Sequence, residues 1–229
     1  MNPSTYEQHT VNSVNPLARF SHRTRLRFAS RLVEARCPVG GAVVDFGAGT
    51  GSFLAGLHAK RGDLRLIGIE PYMTARAAEA EYVRDFAAIE DGTVDVVTAL
   101  EVCEHLSDTE LAEFLDGTSR VLREDGRLIV SVPVMAGPAV LAKELNRMVL
   151  LGKRDYRLAE LATAAFGGAV PRAPDIKTSH KGFDHRVLRA TLAARFAIEA
   201  TACSPMRVLP WWLNSQVFFI CAKKRRAAR

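Results

Sequence analysis

The pattern of apolar and polar positions alternates between two periods along most of the chain. Short, nearly continuous apolar runs, such as VDVVTAL at 94–100, are typical of strands covered on both faces. Between these runs, apolar residues recur three and four positions apart, as on one face of a helix. The predicted strands are 42–46, 64–70, 82–86, 94–100 and 127–132, and the predicted helices are 17–35, 50–60, 75–81 and 107–123. This alternation predicts an α/β fold with a parallel, doubly wound sheet and right-handed crossovers.

The second part of the chain departs from this alternation. Helical spacing covers 138–152 and 156–166, and Gly167-Gly168 then interrupts the pattern. We interpret residues 134–180 as a helical insertion that forms a lid over the ligand site. A helix at 185–195 and two strands at 196–202 and 216–222 are predicted to complete the fold.

Three alternate glycines follow the first predicted strand in the stretch VVDFGAGTGSF. Gly47, Gly49 and Gly51 suit a tight turn, because glycine adopts positive φ and lets a ligand approach the backbone closely. The spacing differs from the G-x-G-x-x-G of dinucleotide-binding proteins, since Ser52 stands at the third glycine position. Asp45, at the strand end, would repel a phosphate and attract a cation. The turn therefore predicts a cationic ligand that has no phosphate.

This glycine stretch resembles the first motif of the class I S-adenosylmethionine-dependent methyltransferases, whose cofactor is cationic and lacks a phosphate. Other stretches resemble later parts of the family in the same order: LIGIEPY, the pair Asp85-Phe86, TVDVVTALEVCEHL and RVLREDGRLIV. Together they cover roughly residues 40–133. The resemblance implies a Rossmann-like, seven-stranded sheet whose final hairpin supplies an antiparallel last strand. The single predicted domain then comprises an N-terminal arm and cover helix (1–36), a cofactor-binding core (37–133), the lid (134–180), a C-terminal helix and strand hairpin (181–222) and a basic tail (223–229).

The resemblance also implies which residues bind S-adenosylmethionine. Glu70, at the end of the second strand, would accept hydrogen bonds from both ribose hydroxyls. Tyr72 would cover the adenine, while Asp85 and Phe86 would bind its amino group and ring. Independently of the resemblance, several acidic side chains at predicted strand ends share one rim of the sheet, where such folds bind ligands. The predicted cofactor-binding residues are Asp45, Phe46, Gly47, Gly49, Gly51, Glu70, Tyr72, Asp85, Phe86 and Glu101.

An E-x-x-E-H run formed by Glu101, Glu104 and His105 lies at the head of a predicted helix, where the three side chains could face one point. In one interpretation they bind a divalent metal with His180 or His185. Such a site resembles those of small-RNA 2′-O-methyltransferases and some quinone-precursor O-methyltransferases. In the other interpretation His105 is a general base without a metal, His180 is the second candidate, and Glu104 is structural. We expect the second, with Glu101, His105 and His180 as catalytic residues and with Glu101, Glu104 and His105 as the alternative metal set.

The charge of the chain bears on its partners. Lysines and arginines number 31 against 25 acidic residues, which gives a net charge of +6, and basic residues cluster in 19–36 and 223–229. Such clusters form solvated faces, or they attract an anionic surface such as lipid headgroups. No RNA-binding signature with interleaved aromatic residues accompanies them. We therefore expect no nucleic-acid partner, whereas peripheral contact with an anionic membrane surface is a further hypothesis.

The compartment is predicted from cysteines and apolar segments. The four cysteines are scattered without a C-x-x-C pair, which argues against a zinc knuckle or a disulfide framework. The polar start predicts no signal peptide, and no apolar run reaches the roughly 18 residues of a membrane span. We expect a cytoplasmic protein. If the basic clusters bind anionic lipid headgroups, the protein would associate peripherally with the inner face of the membrane.

The sequence predicts an enzyme that transfers a methyl group by in-line displacement. Ala99–Val102 stands where methyltransferases acting on amino groups of DNA bases or of protein glutamine carry an N-P-P-Y-type tetrapeptide, which favours an oxygen acceptor. The expected acceptor is a small-molecule, lipid-linked or glycan-type compound, since the apolar lid, Trp211-Trp212 and the basic ends together favour a lipid-linked, isoprenoid or glycan-type acceptor at a membrane surface. A metal-dependent RNA 2′-O-methyltransferase and a non-catalytic S-adenosylmethionine-binding protein are the alternatives.

Overall fold

A single seven-stranded sheet lies at the centre of the protein. The structure, a computed structural model, describes residues 16–72, 77–152 and 154–224. The strands are β1 Ala42–Phe46, β2 Arg65–Ile69, β3 Glu81–Val83, β4 Val94–Leu100, β5 Leu122–Pro133, β6 Phe196–Ser204 and β7 Gln216–Lys223. Their order is β3-β2-β1-β4-β5-β7-β6; β1 to β5 pair in parallel, and β7 is antiparallel to both of its neighbours. The predicted Rossmann-like sheet with an antiparallel last strand is confirmed.

Six helices surround this sheet in the described part of the chain. They are α1 Pro16–Glu34, α2 Ser52–His58, α3 Asp108–Val121, α4 Ala139–Leu151, α5 Leu158–Ala165 and α6 His185–Arg195. Helices α4 and α5 occupy the positions predicted for the helical insertion. Among the residues that the structure describes, no helix combines the length and the apolar character needed to cross a membrane.

Side chains of successive strand residues point to opposite faces of the sheet, and each face carries its own apolar core. Val43 and Ile129 belong to the core that contains α1 and α2, whereas Val44 and Leu128 belong to the core that contains α3 and α6. Residues 217–221 of β7 are at most 1% exposed, because helices cover this strand on both faces. The near-continuous apolar runs of the sequence are therefore those of a doubly covered sheet.

The helix predicted at 75–81 is wrong for the described residues 77–81. Residues 75 and 76 lie outside the described ranges, 77–80 form a turn, and Glu81 begins β3, which pairs with β2. A segment this short has little helical stability of its own, so pairing with the sheet decides its structure. Strand β3 also ends before the predicted Phe86, because the Asp85 carboxylate accepts a hydrogen bond from Ala87 N (2.8 Å) and caps a short 3₁₀ turn.

The junction of α3 and β5 also differs from the prediction. The helix begins as predicted, with Ser107 and Glu110 forming a reciprocal capping box. It ends at Val121 rather than at 123, and β5 begins at Leu122 rather than at 127. The reason is that Leu122 pairs with Val94 of β4, so the strand starts before Asp125-Gly126.

The packing of α1 on the sheet gives a stability prediction. The Phe28 ring meets the Phe218 ring edge-on at a centroid distance of 4.9 Å, and Phe28 is 7% exposed. We expect Phe28→Leu to lower the free energy of unfolding by about 1–1.5 kcal/mol, from the lost aromatic pair and imperfect refilling of the space. Urea denaturation measures this change. Phe166→Leu, at a side chain that is 94% exposed, should change it by less than about 0.5 kcal/mol, and equal effects of the two variants would contradict the assignment.

Candidate active site

The glycine turn between β1 and α2 has the conformation that its sequence requires. Gly47, Gly49 and Gly51 have φ values of 74°, 55° and 79°, a region that side chains rarely tolerate. The Glu70 carboxylate accepts hydrogen bonds from Gly49 N (3.0 Å) and Tyr72 N (2.9 Å). One carboxylate thus connects the glycine turn to the end of β2.

A cavity of about 530 Å³ opens beside this turn and brings together several predicted residues. Its lining includes Phe46, Gly47, Glu70, Tyr72, Asp85 and Phe86. The rings of Phe46 and Phe86 stack at 5.6 Å and form one apolar wall. Tyr72 is 84% exposed at the cavity, where its ring can close over a flat ligand. The cavity combines an apolar wall with carboxylates, as a nucleoside requires.

Asp45 occupies a different environment on the other side of the turn. Its carboxyl is 3% exposed and accepts a hydrogen bond from the Thr98 hydroxyl (2.6 Å). Burial raises its pKa to about 7, although the Thr98 hydrogen bond and the Arg25 charge act in the opposite direction. Asp45 lines a narrow cleft together with Gly47, His22 and Arg25. The cleft is lined by an acidic and a cationic side chain, the pairing that a zwitterionic group requires.

The helical geometry expected for the E-x-x-E-H run is wrong. Glu101 has φ 60°, and residues 103–105 form a separate 3₁₀ turn before α3 begins at Asp108. The helical spacing on which the prediction depended is therefore absent. Glu101 pairs with Arg25 across a distance of 3.4 Å and does not belong to the group of potential ligand atoms formed by Glu104 and His105.

A different cluster forms from Glu104, His105 and His180. The Nε2 atoms of the two imidazoles lie 3.0 Å apart. Glu104 Oε1 lies 4.0 Å from His105 Nε2 and 3.8 Å from His180 Nε2. His105 Nδ1 lies 2.8 Å from the Ile176 carbonyl oxygen. Because a carbonyl can only accept, Nδ1 carries the proton and Nε2 presents a lone pair to the cluster. His180 is brought in by the segment that follows α5.

The cluster has the composition of a divalent metal site. Glu104 is fully buried, and neither carboxylate oxygen accepts a hydrogen bond in the described structure. Burial and the neighbouring Glu101 raise the pKa of the Glu104 carboxyl well above its usual value. One carboxylate and two imidazoles fit a transition-metal ion, with ligand atoms all within 4.8 Å of one another. His185, the other predicted extra ligand, is not in this group; its ring packs against Trp211 at 5.1 Å.

A chamber of about 290 Å³ lies between α1, the end of β5 and α4. Its polar lining includes Arg25, Glu101, Lys143, His180 and Gln216. Buried side-chain atoms of this lining that have no hydrogen-bond partner in the described structure include Arg25 Nε, Glu101 Oε1 and Gln216 Oε1. Buried polar atoms are nearly always paired, so unpaired ones facing a cavity indicate a polar ligand.

A family model described as a methyltransferase domain matches residues 18–162 of this chain. The chain belongs to the class I S-adenosylmethionine-dependent methyltransferases. Its similarity to the ubiquinone biosynthesis O-methyltransferase of Thiobacillus denitrificans is 26% identity over 167 residues, which is 68% of this chain and 71% of the relative. The sequence prediction of a methyltransferase is confirmed.

Solved structures share the fold of this methyltransferase at low sequence identity. A Pyrococcus horikoshii protein has a TM-score of 0.63 and 18% identity, covering 96% of this chain and 97% of its own. A methyltransferase from Aquifex aeolicus has a TM-score of 0.60 and 14% identity, covering 98% and 100%. The magnesium protoporphyrin IX methyltransferase of Synechocystis, solved with bound S-adenosylhomocysteine, has a TM-score of 0.56 and 16% identity, covering 93% and 89%.

Sequence reasoning missed two cationic residues of the methyltransferase chamber. In the sequence Arg25 is one of several arginines in the N-terminal helix, and only the packing of α1 against the site shows that it is buried. Lys143 donates to the Val134 carbonyl (2.8 Å), and burial lowers its pKa to about 8. A signal for it did exist, because Lys143 and Glu144 interrupt the apolar spacing of α4 next to the fully buried Val140.

Proposed function

We propose that this methyltransferase methylates a hydroxyl group of a small-molecule acceptor bound in the 290 Å³ chamber. The observation that carries the proposal is the connection between the spaces. Gly47 lines both the large cavity and the cleft, and His22 and Arg25 line both the cleft and the chamber. A cofactor that extends from the cavity into the cleft therefore points one end at the chamber.

The residues that hold the cofactor follow from this path. Glu70 holds the ribose, with Asp85 and the Phe86 ring on the adenine side of the cavity. In the cleft, Asp45 faces the methionine ammonium and Arg25 faces the methionine carboxylate. Bound there, S-adenosylmethionine supplies a methyl group already activated by its sulfonium, so the chief task of the protein is alignment. Alignment alone can contribute on the order of 7–11 kcal/mol to lowering the barrier.

The acceptor hydroxyl must lose its proton, and the cluster of Glu104, His105 and His180 borders the chamber through His180. A general base in this position contributes about 10²–10⁴-fold to the rate. If a divalent ion is bound, these same three residues are its ligands, and it would acidify the hydroxyl. The Thiobacillus relative is an O-methyltransferase by name, which supports an oxygen acceptor.

The test combines cofactor binding with product analysis. Calorimetric titration with S-adenosylhomocysteine, with and without a chelator, should give binding in the micromolar range. Incubation with methyl-labelled S-adenosylmethionine and a panel of phenols should then give methyl ethers by mass spectrometry. Methyl groups found only on nitrogen or carbon would overturn the oxygen assignment, and absence of cofactor binding would overturn the proposed path.

Asp45 makes cofactor affinity depend on pH. Its pKa of about 7 means that the carboxyl is mostly protonated at pH 6 and ionised at pH 8, whereas the cationic methionine group favours the ionised form. Binding therefore releases a proton below pH 7, and affinity should fall about tenfold from pH 8 to pH 6. Burial lowers the pKa of His22, which lines the same cleft, to about 4, so it stays neutral in this range.

Calorimetry in buffers of different ionisation enthalpy measures both the affinity and the proton release. Asp45→Asn should bind S-adenosylhomocysteine more weakly at pH 8 and with little dependence on pH. The same tenfold change in Asp45→Asn would show that another group titrates.

A further inference from the structure

A second, apolar groove continues from the chamber towards the protein surface. It measures about 500 Å³. Its apolar lining consists of Phe20 from α1, Pro138, Ala139 and Ala142 at the start of α4, and Pro205, Met206, Trp212 and Leu213 from the β6–β7 connection. Phe20 and Trp212 are 56% and 39% exposed, so large apolar surfaces face the groove uncovered by the described residues. Contiguous apolar surface of this kind usually marks a binding site.

The polar side chains in this groove are already engaged. The Asn214 amide accepts a hydrogen bond from Met206 N (2.7 Å) and donates to backbone carbonyls within 206–210. Lys143 Nζ donates to the Ser215 carbonyl (3.0 Å), and the hydroxyls of Ser21 and Ser215 lie 3.0 Å apart. With these groups satisfied internally, the groove favours an apolar occupant.

The inner chamber has the opposite character. Arg25 Nε, Glu101 Oε1 and Gln216 Oε1 are buried there without partners, so it favours a polar occupant. Chamber and groove share Ser21, Lys143, Asn146 and Ser215 in their linings. One molecule can therefore occupy both, with its polar part inside and its apolar part outside.

We propose that the methyl acceptor is amphipathic, with a hydroxyl-bearing polar head in the chamber and an apolar chain in the groove. This inference rests on the proposed function, because it places the acceptor in the chamber. The continuity of the two spaces identifies the occupant of the groove as the acceptor's own chain. A bilayer surface or a second copy of the protein would cover the groove without reaching the chamber.

Binding of 4-alkylphenols with methyl, butyl and octyl chains tests the inference on the full chain saturated with S-adenosylhomocysteine. The two tryptophans of the protein are Trp211 and Trp212. Trp212 lines the groove, so tryptophan emission on excitation at a wavelength that phenols do not absorb reports its occupancy. Affinity should rise about fourfold for each added methylene that the groove covers, and emission should shift to shorter wavelength. Equal affinity for the methyl and octyl compounds would overturn the inference.

Two leucines supply a matched pair of variants. Leu213 lines the groove and is 41% exposed, whereas Leu145 is 62% exposed on α4 and lies outside the groove lining. Leu213→Asp should abolish the dependence on chain length, and Leu145→Asp should retain it. Ala142→Phe is the alternative if the aspartate variant fails to fold. Ala142 is an exposed helix position in the groove, and the larger side chain should fill the groove and abolish the dependence on chain length. Retention of the dependence in both groove variants would contradict the inference.

Other occupants give different results. Dissociation of a dimer by Leu213→Asp, seen by light scattering, would assign the groove to a second copy. Leu213-dependent sedimentation with phosphatidylcholine vesicles, without chain-length dependence, would assign it to a membrane surface. Either result would overturn the inference. Failure of methyl transfer with chain-length-dependent binding intact would instead count against the proposed function alone.

Discussion

Replacing Glu104 by glutamine should reduce the rate of methyl transfer by about 10²–10⁴-fold while leaving cofactor affinity unchanged. The variant keeps the shape of the side chain but removes the carboxylate that lies within 4.0 Å of His105 Nε2 and 3.8 Å of His180 Nε2. The cofactor path does not include Glu104, which explains why binding should persist. Initial rates and calorimetry with S-adenosylhomocysteine measure the two quantities separately.

Two controls make this prediction specific. Glu199→Gln, at the pair that Glu199 forms with Arg127 on the sheet edge, should retain full activity. Chelation of the wild-type enzyme, followed by addition of a divalent ion, tells whether the cluster acts with a metal: a reversible loss indicates a metal site, and no loss indicates a base. An active Glu104→Gln variant would mean that the Glu104 carboxylate takes no part in the reaction.

Replacing Glu70 by alanine should weaken S-adenosylhomocysteine binding by about 10²–10⁴-fold. Two hydrogen bonds from ribose hydroxyls to a carboxylate contribute about 1.5–3 kcal/mol each. The same carboxylate also bonds Gly49 N and Tyr72 N, so its removal leaves two backbone donors of the cofactor site without their acceptor. Calorimetric titration measures the loss.

The choice of substitutions separates these contributions. Glu70→Gln keeps an acceptor for the backbone and should bind more tightly than Glu70→Ala. Glu90→Ala, at an exposed position outside the described cavities, should match the wild type. Unchanged affinity in Glu70→Ala would place the ribose elsewhere.

Local sequence predicted the glycine turn and the carboxylate of Glu70 beside the large cavity. A strand, a glycine turn and a helix are adjacent in the chain, so the residues from Asp45 to Gly51 could be identified from spacing and charge. The same holds for Glu70, which follows β2 directly. The bounds of the helices and strands were less predictable. Glu81–Val83 form a three-residue strand, because pairing with β2 rather than helix propensity decides the structure there.

The residues around the chamber could not be predicted in this way. The helix predicted for the E-x-x-E-H run is absent, since Glu101 has a positive φ and its carboxylate pairs with Arg25. Glu104 lies 3.8 Å from Nε2 of His180, a residue at the far end of the insertion. Periodicity describes only neighbours within one element, so it carries no information about such pairs.

The sequence by itself determined the seven-stranded fold, the family and the position of the glycine turn. These depend on local patterns of apolar residues, glycines and strand-end carboxylates, which each segment carries in its own few residues. Only the tertiary structure decided that Arg25, Lys143 and His180 meet around one chamber and that an apolar groove extends from it. Their meeting depends on how α1, α4 and the segment after α5 pack over the ends of the strands, and packing is a property of distant segments together.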